Sequence, residues 1–199
     1  MGPEDVEVLG DRKVFDGFFK MYELELRHRT FEGEWTQPIR RLLFHRGQAA
    51  AAILYDPQED LIGLVEQFRI GALEAELGPW CLETVAGMME EGETPEGLIT
   101  RELEEEAGIT GARLIPISAY YSSPGGCSEL IHLFCAVCSL KGRSGLFGLA
   151  EEHEDIRFSV HKADEVFKTM YAGRTNNAAT LLGLQWVQLH RDRLRAGEL

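Results

Sequence analysis

Between Gly87 and Ile109 the chain reads GMMEEGETPEGLITRELEEEAGI. On a helix, Glu102 and Glu106 stand four apart and Glu105 three from Glu102, so three carboxylates crowd one side. Like charges at those spacings destabilise an isolated helix by a few tenths of a kcal/mol per pair, about the reverse of a helical ion pair. A divalent cation offsets that repulsion directly, and Mg²⁺ takes oxygen ligands of this kind together with substrate phosphates. Arg101 lies four before Glu105 and is placed to orient it. Gly87 and Gly108 relieve the backbone at the two ends of the segment. The plainer alternative, a solvated acidic face, leaves Gly87, Glu93 and Arg101 without a purpose. An EF-hand lacks its loop here, since no D-x-D-x-D-G run is present.

The elements around this segment follow from pattern. Thr94 is a good N-cap, Pro95 suits the first helical position, and Glu96 sits in the first turn where the dipole favours it. Ile99, Leu103 and Ala107 give an apolar stripe, and Gly108 closes the helix. Before it, strands are expected at Val14–Phe19, Met21–Leu26 and Ile39–Phe44. A hairpin then joins Ala49–Tyr55 to Leu61–Phe68 around Pro57, and Trp80–Val85 makes a further strand. After it come strands at Leu114–Tyr121, Leu130–Cys138 and Asp155–Val160, with a long loop over residues 142–155. A short helix spans Ala163–Tyr171. A last helix starts near Asn177, with Leu182, Trp186 and Leu189 as its buried face. The class is mixed α/β (α+β), without the strict alternation of a doubly wound fold. Residues 1–48 read as a small N-terminal β-rich unit and 49–199 as the main domain.

The 199 residues carry 20 Lys and Arg against 33 Asp and Glu, a formal net charge of −13. Such a chain repels nucleic-acid backbones and anionic membranes, so neither is expected as a partner. Residues 87–109 and 151–155 together carry a net −11 of that −13. The acidity is therefore local, as a cation site requires. The N-terminus has no apolar signal region, no apolar run approaches a membrane span, and four cysteines are too few for a disulfide framework. A cytoplasmic location is expected. Cys135 and Cys138 have C-x-x-C spacing inside an apolar run, which reads as buried free thiols.

The segment from Gly87 matches the Nudix box, G-x5-E-x7-R-E-U-x-E-E-x-G-U, at every fixed position. A chance match somewhere in such a chain is on the order of 10⁻⁵, far beyond what a lone Gly-rich triplet carries. The stretch Ser122-Ser123-Pro124-Gly125-Gly126 stands 15 residues beyond the box at Pro124. With Glu66-Gln67-Phe68-Arg69, Thr84-Val85-Ala86-Gly87, Glu152-His153-Glu154 and Asn177-Ala178-Ala179, it resembles the ADP-ribose pyrophosphatase subgroup of that family. The likeness runs from about residue 14 to 190.

The resemblance implies an α/β/α sandwich around a mixed sheet, with the N-terminal unit exchanged in a homodimer. It implies Mg²⁺-dependent hydrolysis of ADP-ribose to AMP and ribose 5-phosphate, with Mn²⁺ able to substitute. The alternatives are another nucleoside diphosphate derivative, such as a GDP-sugar, NADH or a flavin nucleotide, or a non-catalytic ADP-ribose sensor. The metal ligands it implies are the Ala86 carbonyl, Glu102 and Glu106, with Glu154 for a further ion. Glu152 would be the general base, with Glu105 and Arg101 supporting catalysis. Arg69, Arg41, Phe18, Glu129 and Met88 would contact substrate. A core position is the alternative for Phe18, and a plain surface cation the alternative for Arg69.

Overall fold

The computed structural model describes residues 1–199, the side chain of Glu152 excepted. The chain divides into two compact units, residues 1–47 with 121–130, and residues 48–120 with 131–199.

The first unit is a three-stranded antiparallel sheet, β1 (Val6–Asp16), β2 (Lys20–His28) and β3 (Ile39–His45), in that order. The expected strand over Val14–Phe19 is instead the end of β1 and a turn. Gly17 N–H donates to the Phe19 carbonyl, and Asp16 pairs with Lys20 across the reversal. The chain from Val6 onward is strand, exposed along its whole length. The turn carrying Pro124 closes against β3, where Phe44 N–H donates to the Gly126 carbonyl at 2.8 Å.

The second unit is built on an eight-stranded sheet. Its strands are β4 (Gln48–Asp56), β5 (Leu61–Phe68), β6 (Trp80–Glu83), β7 (Val85–Met88), β8 (Arg113–Tyr121), β9 (Leu130–Val137), β10 (Gly145–Phe147) and β11 (Ile156–Lys162). The path runs β10-β11-β5-β4-β9-β8, with β6 on β5 and β7 on β4. Alternation along β4 feeds two cores. Ala50, Ala52 and Leu54 meet Leu98, Ile99 and Leu103 of α1 (Pro95–Ala107) on one face. Ile53 and Tyr55 meet α2 (Ala163–Thr169) and α3 (Ala178–Ala196) on the other. This is the sandwich of helices around a sheet that the sequence led us to expect.

Three further local expectations fail. Trp80–Val85 is not one strand: it breaks at Thr84, whose N–H donates to the Thr180 hydroxyl at 2.9 Å and whose own hydroxyl donates to the Ala52 carbonyl. The loop 142–155 contains β10, paired to β11. The buried face of α3 is Thr180, Gly183, Leu184, Val187 and Leu194, and Leu182 and Leu189 point outward, Leu189 81% exposed. The apolar spacing was helical, but the sheet meets the neighbouring stripe. All four cysteines are free, and burial pushes the Cys135 and Cys138 thiols up to about 12. No helix is long and apolar enough to cross a membrane among the described residues.

Candidate active site

Helix α1 begins and ends as its caps dictate. The Thr94 hydroxyl accepts from Gly97 N–H at 3.1 Å, and Gly108 takes the left-handed conformation at φ 62° while donating to the Glu104 carbonyl. Its apolar stripe fastens it to β4, and this sets which carboxylates face the sheet.

Glu106 is 2% exposed. Its carboxylate accepts from Ala86 N–H on β7 at 3.2 Å and from Gln67 Nε2 on β5 at 3.5 Å. Burial, then the charge of Glu102, pushes Glu106 up to about 8, against the opposing pull of the Ala86 N–H and the Arg69 charge. Glu102 is raised to about 7, chiefly by burial, with Glu105 and Glu154 adding repulsion and Arg101 opposing it. Gly87 exists to make room for this: a Cβ there would lie 2.0 Å from Glu102 Oε1. The strand therefore passes directly under the carboxylate.

Arg101 is the hub of the acidic face. It meets Glu105 at 2.7 Å, Glu102 at 3.0 Å and Glu93 at 3.4 Å. The four-residue spacing brings Arg101 onto Glu105, and Glu93 is its third partner. The 148–154 segment is tied to the end of α1 by Gly148 N–H donating to the Glu105 carbonyl at 3.3 Å. Within it, Glu154 accepts from Leu149 N–H at 3.4 Å, and its charge reaches both Glu102 and Glu106. Glu152 ends a short 3₁₀ turn, and its side chain lies outside the described residues.

A buried carboxylate and a half-buried one that repels it, with oxygen donors around them, suit a hard divalent cation. No three His, Cys, Asp or Glu side chains among the described residues converge as a ready cage. Arg101 instead takes up part of the carboxylate charge.

Arg69, just past β5, is not a plain surface cation. Its Nε donates at 2.7 Å to Glu83, whose side chain is 7% exposed. Met88 ends β7, partly exposed. Phe18, Arg41 and Glu129 belong to the first unit. Phe18 is 84% exposed, which overturns the core alternative; its ring packs edge-on against Phe19 at 4.8 Å. Arg41 donates to the Arg40 carbonyl. Glu129 is ion-paired to Arg46 at 2.9 Å, and that guanidinium lies 4.5 Å from the Phe19 ring centroid.

Sequence reasoning gave no separate role to Gln67 or Glu83. The available signal was an amide and an acid inside otherwise apolar strands, which demand buried partners.

The NUDIX domain family matches residues 45–180. The chain is 42% identical over 195 residues to an ADP-ribose pyrophosphatase of Haemophilus influenzae, covering 96% of this chain and 90% of that protein. It is 40% identical over 194 residues to an ADP-ribose pyrophosphatase of Escherichia coli strain K12, covering 98% and 93%. A GDP-mannose pyrophosphatase of Shigella dysenteriae is 27% identical over 187 residues, covering 94% and 96%. A crystal structure of an ADP compounds hydrolase shares the fold with a TM-score of 0.71 at 18% identity, over 96% of this chain and 97% of that one. A family match across residues 45–180, an intact box on a helix docked to its glycine strand, and relatives at 40% identity over nearly the full length make one conclusion: this chain belongs to the Nudix family.

Proposed function

We propose that this chain is a Mg²⁺-dependent pyrophosphohydrolase that cleaves ADP-ribose to AMP and ribose 5-phosphate. The observation that carries the reading is the half-buried Glu102 and buried Glu106 pair, with Gly87 passing close under Glu102, in a chain 40% identical over nearly its full length to ADP-ribose pyrophosphatases. The Ala86 carbonyl, Glu102 and Glu106 would hold the cation, with Glu154 for a further ion. Bound there, it would neutralise charge on the pyrophosphate oxygens. Glu152 would take the proton of the attacking water as the water oxygen bonds to phosphorus and the bridging phosphorus–oxygen bond breaks. Arg101, ion-paired to Glu105 and Glu102, would orient them. Arg69, with Glu83 behind it, would present its guanidinium to a phosphate. Phe18, Arg41, Glu129 and Met88 would take the remainder of the substrate.

Residues 1–48 would form a separable β unit exchanged in a homodimer. The exposure of all of β1 supports that reading, because a strand of this length is costly to leave uncovered. Four free cysteines fit a reducing cytoplasm.

The test is a substrate panel at fixed Mg²⁺ comparing ADP-ribose, GDP-mannose, NADH and a flavin nucleotide by kcat/KM. ADP-ribose is expected to lead; a lead for GDP-mannose overturns the substrate assignment.

A further inference from the structure

Glu83 is the most demanding side chain of the second unit that the hydrolysis itself does not use. It sits at the end of β6, 6% exposed, facing the same side of the sheet as Val65, its register partner. One carboxylate oxygen accepts from Arg69 Nε at 2.7 Å and the other from Asn177 Nδ2 at 2.6 Å. Asn177 is also the N-cap of α3, its Oδ1 accepting from Thr180 N–H at 2.8 Å. The Thr180 hydroxyl in turn takes Thr84 N–H, next to Glu83. The carboxylate is thus gripped from a helix terminus on one side and aimed at Arg69 on the other.

We propose that Glu83 is a positioning residue for substrate binding. It fixes the Arg69 guanidinium through Nε so that the outer nitrogens face the phosphates, and Asn177 fixes Glu83. The inference rests on the reading of Arg69 as a phosphate contact. Three features support it. Arg69 is 43% exposed at its side chain while its partner is buried, so only the Nε edge is committed inward. A guanidinium carries five donors in a rigid fork, and fixing one edge fixes the direction of the rest. Arg69 also lies two residues past Gln67, whose Nε2 donates to Glu106 at 3.5 Å, and its charge pulls on that carboxyl. The segment bearing Asn177 is independently moored: Arg174 pairs with Glu66, and its carbonyl accepts from Leu82 N–H at 3.2 Å.

The test is a double-mutant cycle on KM and kcat for ADP-ribose with Mg²⁺, using Glu83→Gln, Arg69→Ala and the pair. Glu83→Gln is expected to raise KM about tenfold, the usual worth of one hydrogen bond to a charged group, and to change kcat much less. The double variant is expected to be no worse than Arg69→Ala. Asn177→Ser keeps a helix cap and deletes only the donor to Glu83. It is expected to raise KM severalfold with an unchanged thermal midpoint, and it carries the test if Glu83→Gln folds poorly. An unchanged KM in both Glu83→Gln and Asn177→Ser, or fully multiplicative losses in the cycle, overturns the proposal. If Arg69→Ala itself leaves KM unchanged, the phosphate role of Arg69 fails, and this inference falls with it. If Arg69→Ala raises KM and the other two variants do not, only the inference falls.

Discussion

Replacing Glu106 by glutamine separates the cost of the site from its purpose. The folded carboxyl titrates near 8 because it is buried and faces Glu102. In the unfolded chain it titrates near 4.5. Between those values the folded state holds a proton that the unfolded state has released. Stability from this group is therefore fully present below about pH 4.5 and is lost as pH rises toward 8. At ~1.4 kcal/mol per unit, the penalty above pH 8 is about 5 kcal/mol. An amide avoids it and still offers an oxygen to Ala86 N–H. At 2–4 °C per kcal/mol for a chain of this size, metal-free Glu106→Gln should melt roughly 10–20 °C above the parent at pH 9, with the two nearly equal near pH 5. The assay is thermal unfolding in a chelator across pH, repeated with Mg²⁺. The ion should raise the parent by mass action and leave the variant nearly unmoved, and hydrolysis should be almost abolished. A variant that melts no higher at pH 9 than at pH 5, relative to the parent, refutes the burial argument. Normal hydrolysis refutes the ligand assignment.

Glu152→Gln should lower kcat by about 10²–10⁴ while largely sparing substrate affinity; an equal loss of both in kinetics and calorimetry makes it a ligand instead of a base. Gly87→Ala should displace the Glu102 carboxylate, because the added carbon lands 2.0 Å from Oε1. We expect weaker apparent Mg²⁺ affinity in activity titrations and about 1–3 kcal/mol of lost stability by denaturant melts. Asp60→Asn tests a clamp away from the site. Asp60 accepts from Arg191 Nε at 2.9 Å, from the Tyr55 hydroxyl at 2.7 Å, and pairs with Arg195. Its carboxyl is held below its usual value chiefly by Arg191, so its contribution is present above the unfolded value and lost as pH falls through the folded one. The variant should lose about 2 kcal/mol at pH 7, less at acid pH, with kcat unchanged.

What could be read from the chain is what is local. The caps of α1, its stripe, and the Arg101–Glu105 pair all lie within one helix, where spacing fixes neighbours. What could not be read depends on partners far along the chain. Thr84 breaks a strand because of Thr180, 96 residues away, and Glu83 acquires its purpose from Asn177, 94 away. Phe18 and Leu189 are apolar yet exposed, and their hydrophobicity alone pointed inward. The α3 face was displaced for a related reason: apolar residues occupy two adjacent stripes, and only docking decides which is covered. Site roles entered through family likeness, because side-chain chemistry says what a carboxylate can do and not which one does it.

The sheet under α1 is thin by composition. Ala50 and Ala52 face the helix, Gly87 passes below Glu102, and on the opposite face a Cβ at Gly183 of α3 would come within 2.9 Å of Ile53 Cβ. Layer spacing here is set by missing side-chain volume, so a methyl group is a wedge. In a saturation screen for activity, harmful changes should form two populations: polar losses at the acidic face, and gains of bulk at positions that never meet substrate. The second population would trace the gauge of the sandwich, residue by residue, and reveal how finely the distance between helix and strand is held.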